Sequence, residues 1–428
     1  MGGVGQLRNF HFSITFSNSC CYVSRFRERR YPSGQTGLSG VEVSRNMFAT
    51  SGFAALALAS TVLAGALANA PATADEFPNL LGPAVPAAAD LNHDGYPDVV
   101  FSDFVLGNGV SVLMGRAGGG FEPAIRYMTG GQADYVAIAD FDHDGELDLA
   151  VTNFTSGDVS ILRGNGDGTF VAAVNYPTDF APGAVVVGDY NHDGNADLAT
   201  SNQAPSWSIL YGRGDGTFAD ELRISTHLGV GSGSADAADF DGDGNLDLLR
   251  GNYVNSTIQI YRGRADGTFA DPITLGDGAL TAWYGMARDI NGDGKSDILF
   301  SNLVGGTVST LVNNGDGTFG RAERYSTGGL LPQCFDLADL NGDGTLDMVV
   351  ANGGTSSISV LLGTGNGTFG SPRTYASGGL VPLSTPLLAD FDHDQKIDVV
   401  VGNTASGEIT LRYGNGDGTF GAPINYSA

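Results

Sequence analysis

The sequence predicts an all-β fold: a seven-bladed β-propeller of four-stranded antiparallel blades, with a repeat of about 50 residues. Three observations predict it. A nine-residue acidic loop recurs seven times, a glycine-rich turn recurs in step with it, and no segment between them carries a helical pattern of useful length. A fixed period in this range marks an architecture in which each repeat is one supersecondary unit. Four-stranded units arranged around an axis leave only short, protected edges.

The loops read DLNHDGYPD at 90, DFDHDGELD at 140, DYNHDGNAD at 189, DFDGDGNLD at 239, DINGDGKSD at 289, DLNGDGTLD at 339 and DFDHDQKID at 390. The turn reads GNGDGTF at 164 and 414, with variants at 212, 263, 313 and 363 and a degraded GRAGGGF at 115. Gly-Asp-Gly between apolar runs is a hairpin signal. The second repeat shows the four strands: YVAIA (135–139), LDLAVT (147–152), GDVSILRG (157–164) and FVAAVNY (170–176). The first strand of each repeat is expected to line the axis. The residue before each loop is small in six repeats (Ala89, Ala139, Gly188, Ala238, Ala338, Ala389), and Arg288 is the exception. Segments 76–81 and 420–426 both read as outer strands, so either one is a candidate to close the ring.

The acidic loops follow Asp-x-Asp/Asn-x-Asp-Gly-x-x-Asp, with Gln395 replacing Gly in the last. Carboxylates this close repel by about 1 kcal/mol per pair in water and about 4 kcal/mol near a protein surface. A dication among them removes the repulsion. Oxygens at positions 1, 3, 5 and 9, with the backbone carbonyl at 7, suit Ca²⁺, and Gly allows the sharp turn. Zinc would call for His and Cys. The expected ligands are Asp90, Asn92, Asp94 and Asp98; Asp140, Asp142, Asp144 and Asp148; Asp189, Asn191, Asp193 and Asp197; Asp239, Asp241, Asp243 and Asp247; Asp289, Asn291, Asp293 and Asp297; Asp339, Asn341, Asp343 and Asp347; and Asp390, Asp392, Asp394 and Asp398. Up to seven structural calcium ions are therefore expected, the seventh held most weakly because Gln395 must adopt a conformation that Gly tolerates better. His93, His143, His192 and His393, at position 4, are expected to be solvated fillers, and the side chain of Glu146 to face solvent.

Charge and the N-terminal region narrow the function classes. The formal net charge is −26, and Lys295 and Lys396 are the only lysines. Nucleic acid and anionic membrane surfaces are disfavoured as partners, because phosphate binding needs a basic face. Residues 1–46 are Arg-rich without clear periodicity and read as an upstream extension, with Met47 as an alternative start. Residues 47–74 read as a secretory signal, with an apolar run at 52–68 followed by small-residue sites. The run is short for a bilayer span, and no span is expected in the mature chain. Beyond residue 74 the chain carries 15 basic and 45 acidic residues and one cysteine, Cys334. A secreted or cell-surface monomer without disulfides would draw its stability from its core and from metal.

With these motifs in place, the sequence resembles the FG-GAP/VCBS repeat family, whose best-known members are the integrin α-subunit propellers. The resemblance covers residues 77–428 and departs at Gln395 and at the degraded turn 115–121. It implies calcium in the loops between the first and second strands, on the lower face, and extracellular recognition. Family members include lectins, adhesins and lyase-like enzymes, so the fold does not choose among them.

The second-to-third strand turns lie on the other face. They carry a recurrent Asn (Asn153, Asn202, Asn252, Asn302, Asn352, Asn403) expected to form turns. Phe104, Phe154, Tyr253, Trp283 and Tyr284 fall in or near loops of that face, and are the candidate contacts for an extracellular glycan or protein. Packing between blades is the competing role for these rings. Arg213-Gly214-Asp215 sits in register with the Asn-Gly-Asp turns and reads as one more of them. No Ser-His-Asp order stands out, and no catalytic residue is assigned. The inner-strand acids Asp236 and Asp336 are the weak hint of a polysaccharide lyase or glycosidase. A passive calcium-stabilised spacer is the third reading.

Overall fold

The computed structural model describes residues 15–17, 20–22, 86–103, 108–226, 234–252, 256–276, 282–382 and 384–427. The chain divides into two units, Met1–Ala49 and Thr50–Ala428. In the first, Thr15–Ser17 pairs antiparallel with Cys20–Tyr22. The expected signal segment 47–74 lies outside the described residues, as does 76–81.

The second unit holds seven sheets of four antiparallel strands, each in sequence order. Blade 2 is typical: Ala133–Ala139, Asp148–Asn153, Asp158–Leu162 and Val174–Pro177. The other six begin at Pro86, Pro182, Ala235, Ala282, Pro332 and Leu387. The second strand is buried along its whole length in every blade. That burial explains its near-continuous apolar run, since both faces meet a neighbouring blade. The fourth strand is mostly exposed.

Neighbouring blades are joined by aromatic edges. The fourth strand presents one half-buried ring inward in five blades: Tyr127, Tyr176, Tyr325, Tyr375 and Tyr426. Each meets the Phe of the next blade's turn edge-on, with centroids 5.3 to 6.1 Å apart. Such pairs add to the stabilisation from buried area alone.

The first strands stand side by side around the axis, and that of blade 7 (Leu387–Ala389) neighbours that of blade 1 (Pro86–Ala89). The ring closes without strand exchange. Blade 7 takes its outer strand, Ile424–Ser427, from its own end of the chain, and blade 1 is complete in itself. At this junction Val99, Phe101, Leu113 and Phe121 pack with Phe391, Val400, Ile409 and Leu411.

Candidate functional site

The seven acidic loops share one hydrogen-bonded frame. The first Asp accepts the N–H of position 6 at 2.7 to 3.0 Å in all seven. The fifth-position Asp accepts the N–H of position 7 at 2.8 to 3.1 Å. Gln395 keeps the frame by taking φ +68°, where the other loops place Gly.

The ninth-position Asp opens the second strand and is buried in every loop. One of its oxygens accepts the N–H of loop position 2, at 2.8 to 3.1 Å. The other accepts the N–H at the start of the glycine turn, at 2.7 to 2.8 Å. This Asp therefore ties loop to turn. Burial pushes the carboxyls of Asp98, Asp148, Asp197, Asp247 and Asp398 up to about 6, against the opposing pull of the two N–H donors. Asp297 and Asp347 are raised for the same reason.

Oxygen-rich clusters remain inside this frame. Ligand atoms of Asp140, Asp142 and Asp148 lie within 4.8 Å of one another, as do those of Asp239, Asp241 and Asp247 and of Asp390, Asp392 and Asp398. In the other four loops the third position is an Asn. Asp140 Oδ1, Asp142 Oδ1 and Asp241 Oδ1 are buried with no hydrogen-bond partner. Buried carboxylate oxygens without a donor are costly unless a cation meets them, so these residues fit a hard divalent ion. Part of the charge is met from within: Arg163 lies 3.4 Å from Asp142, Arg262 3.2 Å from Asp241, and Lys396 2.6 Å from Asp394.

In three blades the glycine turn is hydrogen-bonded to the loop of the blade before. Gly168, Gly216 and Gly418 donate their N–H to the carbonyls of Leu91, Phe141 and Leu340 at 3.0 to 3.1 Å. The turn Phe also meets the loop's second residue edge-on in four cases, such as Phe218 on Phe141 at 5.5 Å. Loops and turns thus share the lower face. Arg213 and Asp215 are spent inside their own turn, on Phe218 O and on Thr217.

The histidines are exposed, as expected, but each also meets a neighbouring loop. His93 Nε2 lies 2.6 Å from Glu146, His143 Nε2 3.1 Å from Asn195 Oδ1, and His192 Nε2 2.9 Å from Asn245 Oδ1. The His393 ring lies 4.4 Å from that of Tyr96. Each contact runs from position 4 of one loop to position 7 of the next, so the Glu146 side chain is engaged as well. Spacing within one repeat does not reveal a partner about 50 residues away.

On the upper face, Phe104 and Tyr253 lie outside the described residues. Phe154 is half-buried in its turn. Trp283 is half-buried and packs against Leu303 and Leu331. Tyr284 turns to the inner wall, edge-on to Phe335 at 5.2 Å. Of the described rings, Phe154 belongs to blade 2 and Trp283 and Tyr284 to blade 5. The recurrent Asn residues end buried second strands and open the turns that follow: the carbonyls of Asn302, Asn352 and Asn403 accept the N–H three residues on at 3.1 to 3.3 Å. Asn153, Asn302, Asn352 and Asn403 donate to a third-strand hydroxyl at 2.8 Å. Sequence reasoning missed the apolar side chains most open on this face: Leu330 at 62%, Met128 at 60% and Leu380 at 45% exposed. Leu330 and Leu380 precede residues held at positive φ, Leu331 and Val381, each followed by Pro.

Asp236 and Asp336 lie on inner strands, and Asp236 links neighbours. Its Oδ2 accepts the N–H of Ala287 in the next blade at 2.9 Å, with Arg288 3.4 Å away. Asp336 accepts the N–H of Leu337 at 2.8 Å, and burial pushes its carboxyl up to about 6. Among the described residues no helix is long and apolar enough to cross a membrane.

Comparison with known proteins agrees with this architecture. The FG-GAP-like repeat matches residues 90–151, 140–200, 197–250, 289–350 and 339–401. No curated protein matches the chain. An Agrocybe aegerita lectin that recognises non-reducing terminal N-acetylglucosamine is similar in structure, with TM-score 0.52 and 19% identity, over 80% of this chain and 93% of the lectin. The periplasmic gluconolactonase PpgL of Pseudomonas aeruginosa has TM-score 0.57 and 14% identity, over 76% and 94% of the two chains. A Lactobacillus plantarum protein has TM-score 0.60 and 12% identity, over 77% and 96%. At these identities the likeness is one of fold.

Proposed function

From the premise that this chain belongs to the FG-GAP-like repeat family, we propose that it is a secreted, calcium-stabilised monomeric propeller that recognises a glycan or protein outside the cell. The observation that carries this reading is the contrast between the two faces. The lower face repeats one frame seven times, which is how a structural device behaves. The upper face is irregular and leaves Phe180, Leu330 and Leu380 exposed. Apolar side chains beside hydroxyl and amide groups are the usual means of holding sugar rings or a protein surface.

Calcium in this reading is structural. The loop residues at positions 1, 3, 5 and 9 hold it, with the position-7 carbonyl, and the ion supplies the positive charge that lets them sit together. Phe104, Phe154, Phe180, Tyr253 and Trp283 are the proposed ligand contacts, with Leu330 and Leu380 added from the structure. The likeness to a lectin supports a glycan, and the likeness to a lactonase keeps a polysaccharide-active enzyme as the alternative. The link from Asp236 to the next inner strand favours recognition over turnover.

A glycan and matrix-protein array, probed with the full chain in calcium and then in chelator, tests the proposal. Calcium-dependent capture of a defined sugar or protein is expected. A blank array from folded protein would defeat the recognition reading, and turnover of a polysaccharide lost in Asp336→Asn would replace it.

A further inference from the structure

Position 4 of the metal loops is filled in two ways. It is His in loops 7, 1, 2 and 3 and Gly in loops 4, 5 and 6. The four histidines stand at φ +58° to +63°. That conformation costs a residue with a Cβ roughly 1–2 kcal/mol and costs Gly almost nothing. A compensating contact is therefore expected, and each His has one, on position 7 of the next loop.

The two positions vary together. Opposite a His stand Tyr96, Glu146, Asn195 and Asn245, which offer a ring face or an acceptor oxygen. Opposite Gly242, Gly292 and Gly342 stand Lys295, Thr345 and Lys396. The two lysines turn instead to Asn314 O and to Asp394. Position 7 is also where the backbone carbonyl would complete the ion's oxygen shell. A His therefore holds, from the loop before, the residue that presents this ligand.

We propose that the four histidines join loops 7, 1, 2, 3 and 4 into one cooperative calcium-binding arc, while loops 5 and 6 bind independently. The arc crosses the junction of blades 7 and 1, where no strand is shared. The histidines are positioning residues, and the proposal rests on the calcium reading above.

The test is a calcium titration of the chelator-stripped full chain by calorimetry, with each loop followed by the NMR amide signal of its position 6, a glycine in six loops and Gln395 in the seventh. Gln395, Gly95, Gly145, Gly194 and Gly244 should move together on a curve steeper than a simple hyperbola. Gly294 and Gly344 should each follow a simple hyperbola. His143→Gly installs the residue that three loops already carry. It should weaken calcium at loop 3 by roughly three- to tenfold, the range of one net hydrogen bond, and leave loops 5 and 6 unmoved. The swap His143→Asn with Asn195→His should restore the coupling. No calcium binding at any loop would sink the calcium reading and this proposal with it. Calcium binding with seven independent curves, or with all loops weakened alike by His143→Gly, would overturn the coupling alone.

Discussion

Asp347 and Asp343 separate two kinds of loop carboxylate. Asp347 is buried and satisfies the N–H groups of Leu340 and Gly363. Asp347→Ala leaves both donors unpaired and should lower stability by roughly 2–4 kcal/mol in chelator, and by more in calcium, where a metal ligand is lost as well. Asp343→Ala should lower it mainly in calcium. Urea unfolding in both conditions checks this; an Asp347→Ala loss that vanished in chelator would remove the tie from the account. Asp134, on the inner strand of blade 2, gives a pH dependence. Burial alone raises its carboxyl from 3.8 to about 7. The folded state therefore holds a proton that the unfolded chain has released, so stability falls as pH rises from about 4 to 7. Asp134→Asn should be near neutral at pH 4 and stabilising at pH 8 by roughly 2 kcal/mol, allowing for its partial exposure. Equal urea midpoints for the two proteins at pH 8 would refute it. The acidic loops were legible in the sequence because their residues recur at fixed offsets. The double bond of Asp347 and the partners of the histidines were not, since each depends on which atom faces a neighbouring turn or blade.

The strands were legible for a similar reason. The turn residues mark every hairpin, and buried second strands read as apolar runs such as VVF (99–101) in blade 1. What alternation does not reveal is the match across blades. Tyr375 on a fourth strand is an ordinary half-exposed residue until Phe420 of the next blade meets its edge at 6.1 Å. The turn Phe is thus a fastening between elements. Phe420→Ala should cost roughly 3–4 kcal/mol, whereas Val174→Ala on an exposed outer strand should stay within about 0.5 kcal/mol. Similar midpoints for the two variants in urea would show that the aromatic edge carries little.

At the scale of the whole molecule the lower face sets the response to metal. The carboxylates clustered in the loops of blades 2, 4 and 7 repel until a dication meets them, and the other four loops share their frame. At calcium about ten times the dissociation constant each occupied site adds roughly 1.4 kcal/mol, so seven add on the order of 10 kcal/mol, comparable with the stability of a typical domain. Chelation should therefore lower Tm by tens of degrees, and magnesium, which demands smaller octahedral geometry, should restore little of it. A melt unchanged by chelator would remove calcium from the stability account. The closure of the ring has a further consequence. Because every blade is one uninterrupted stretch of chain, the unit of inheritance and the unit of folding coincide. An in-frame duplication or loss of one repeat adds or removes a whole blade without leaving an orphan strand, and termini moved to any other blade boundary should yield the same ring.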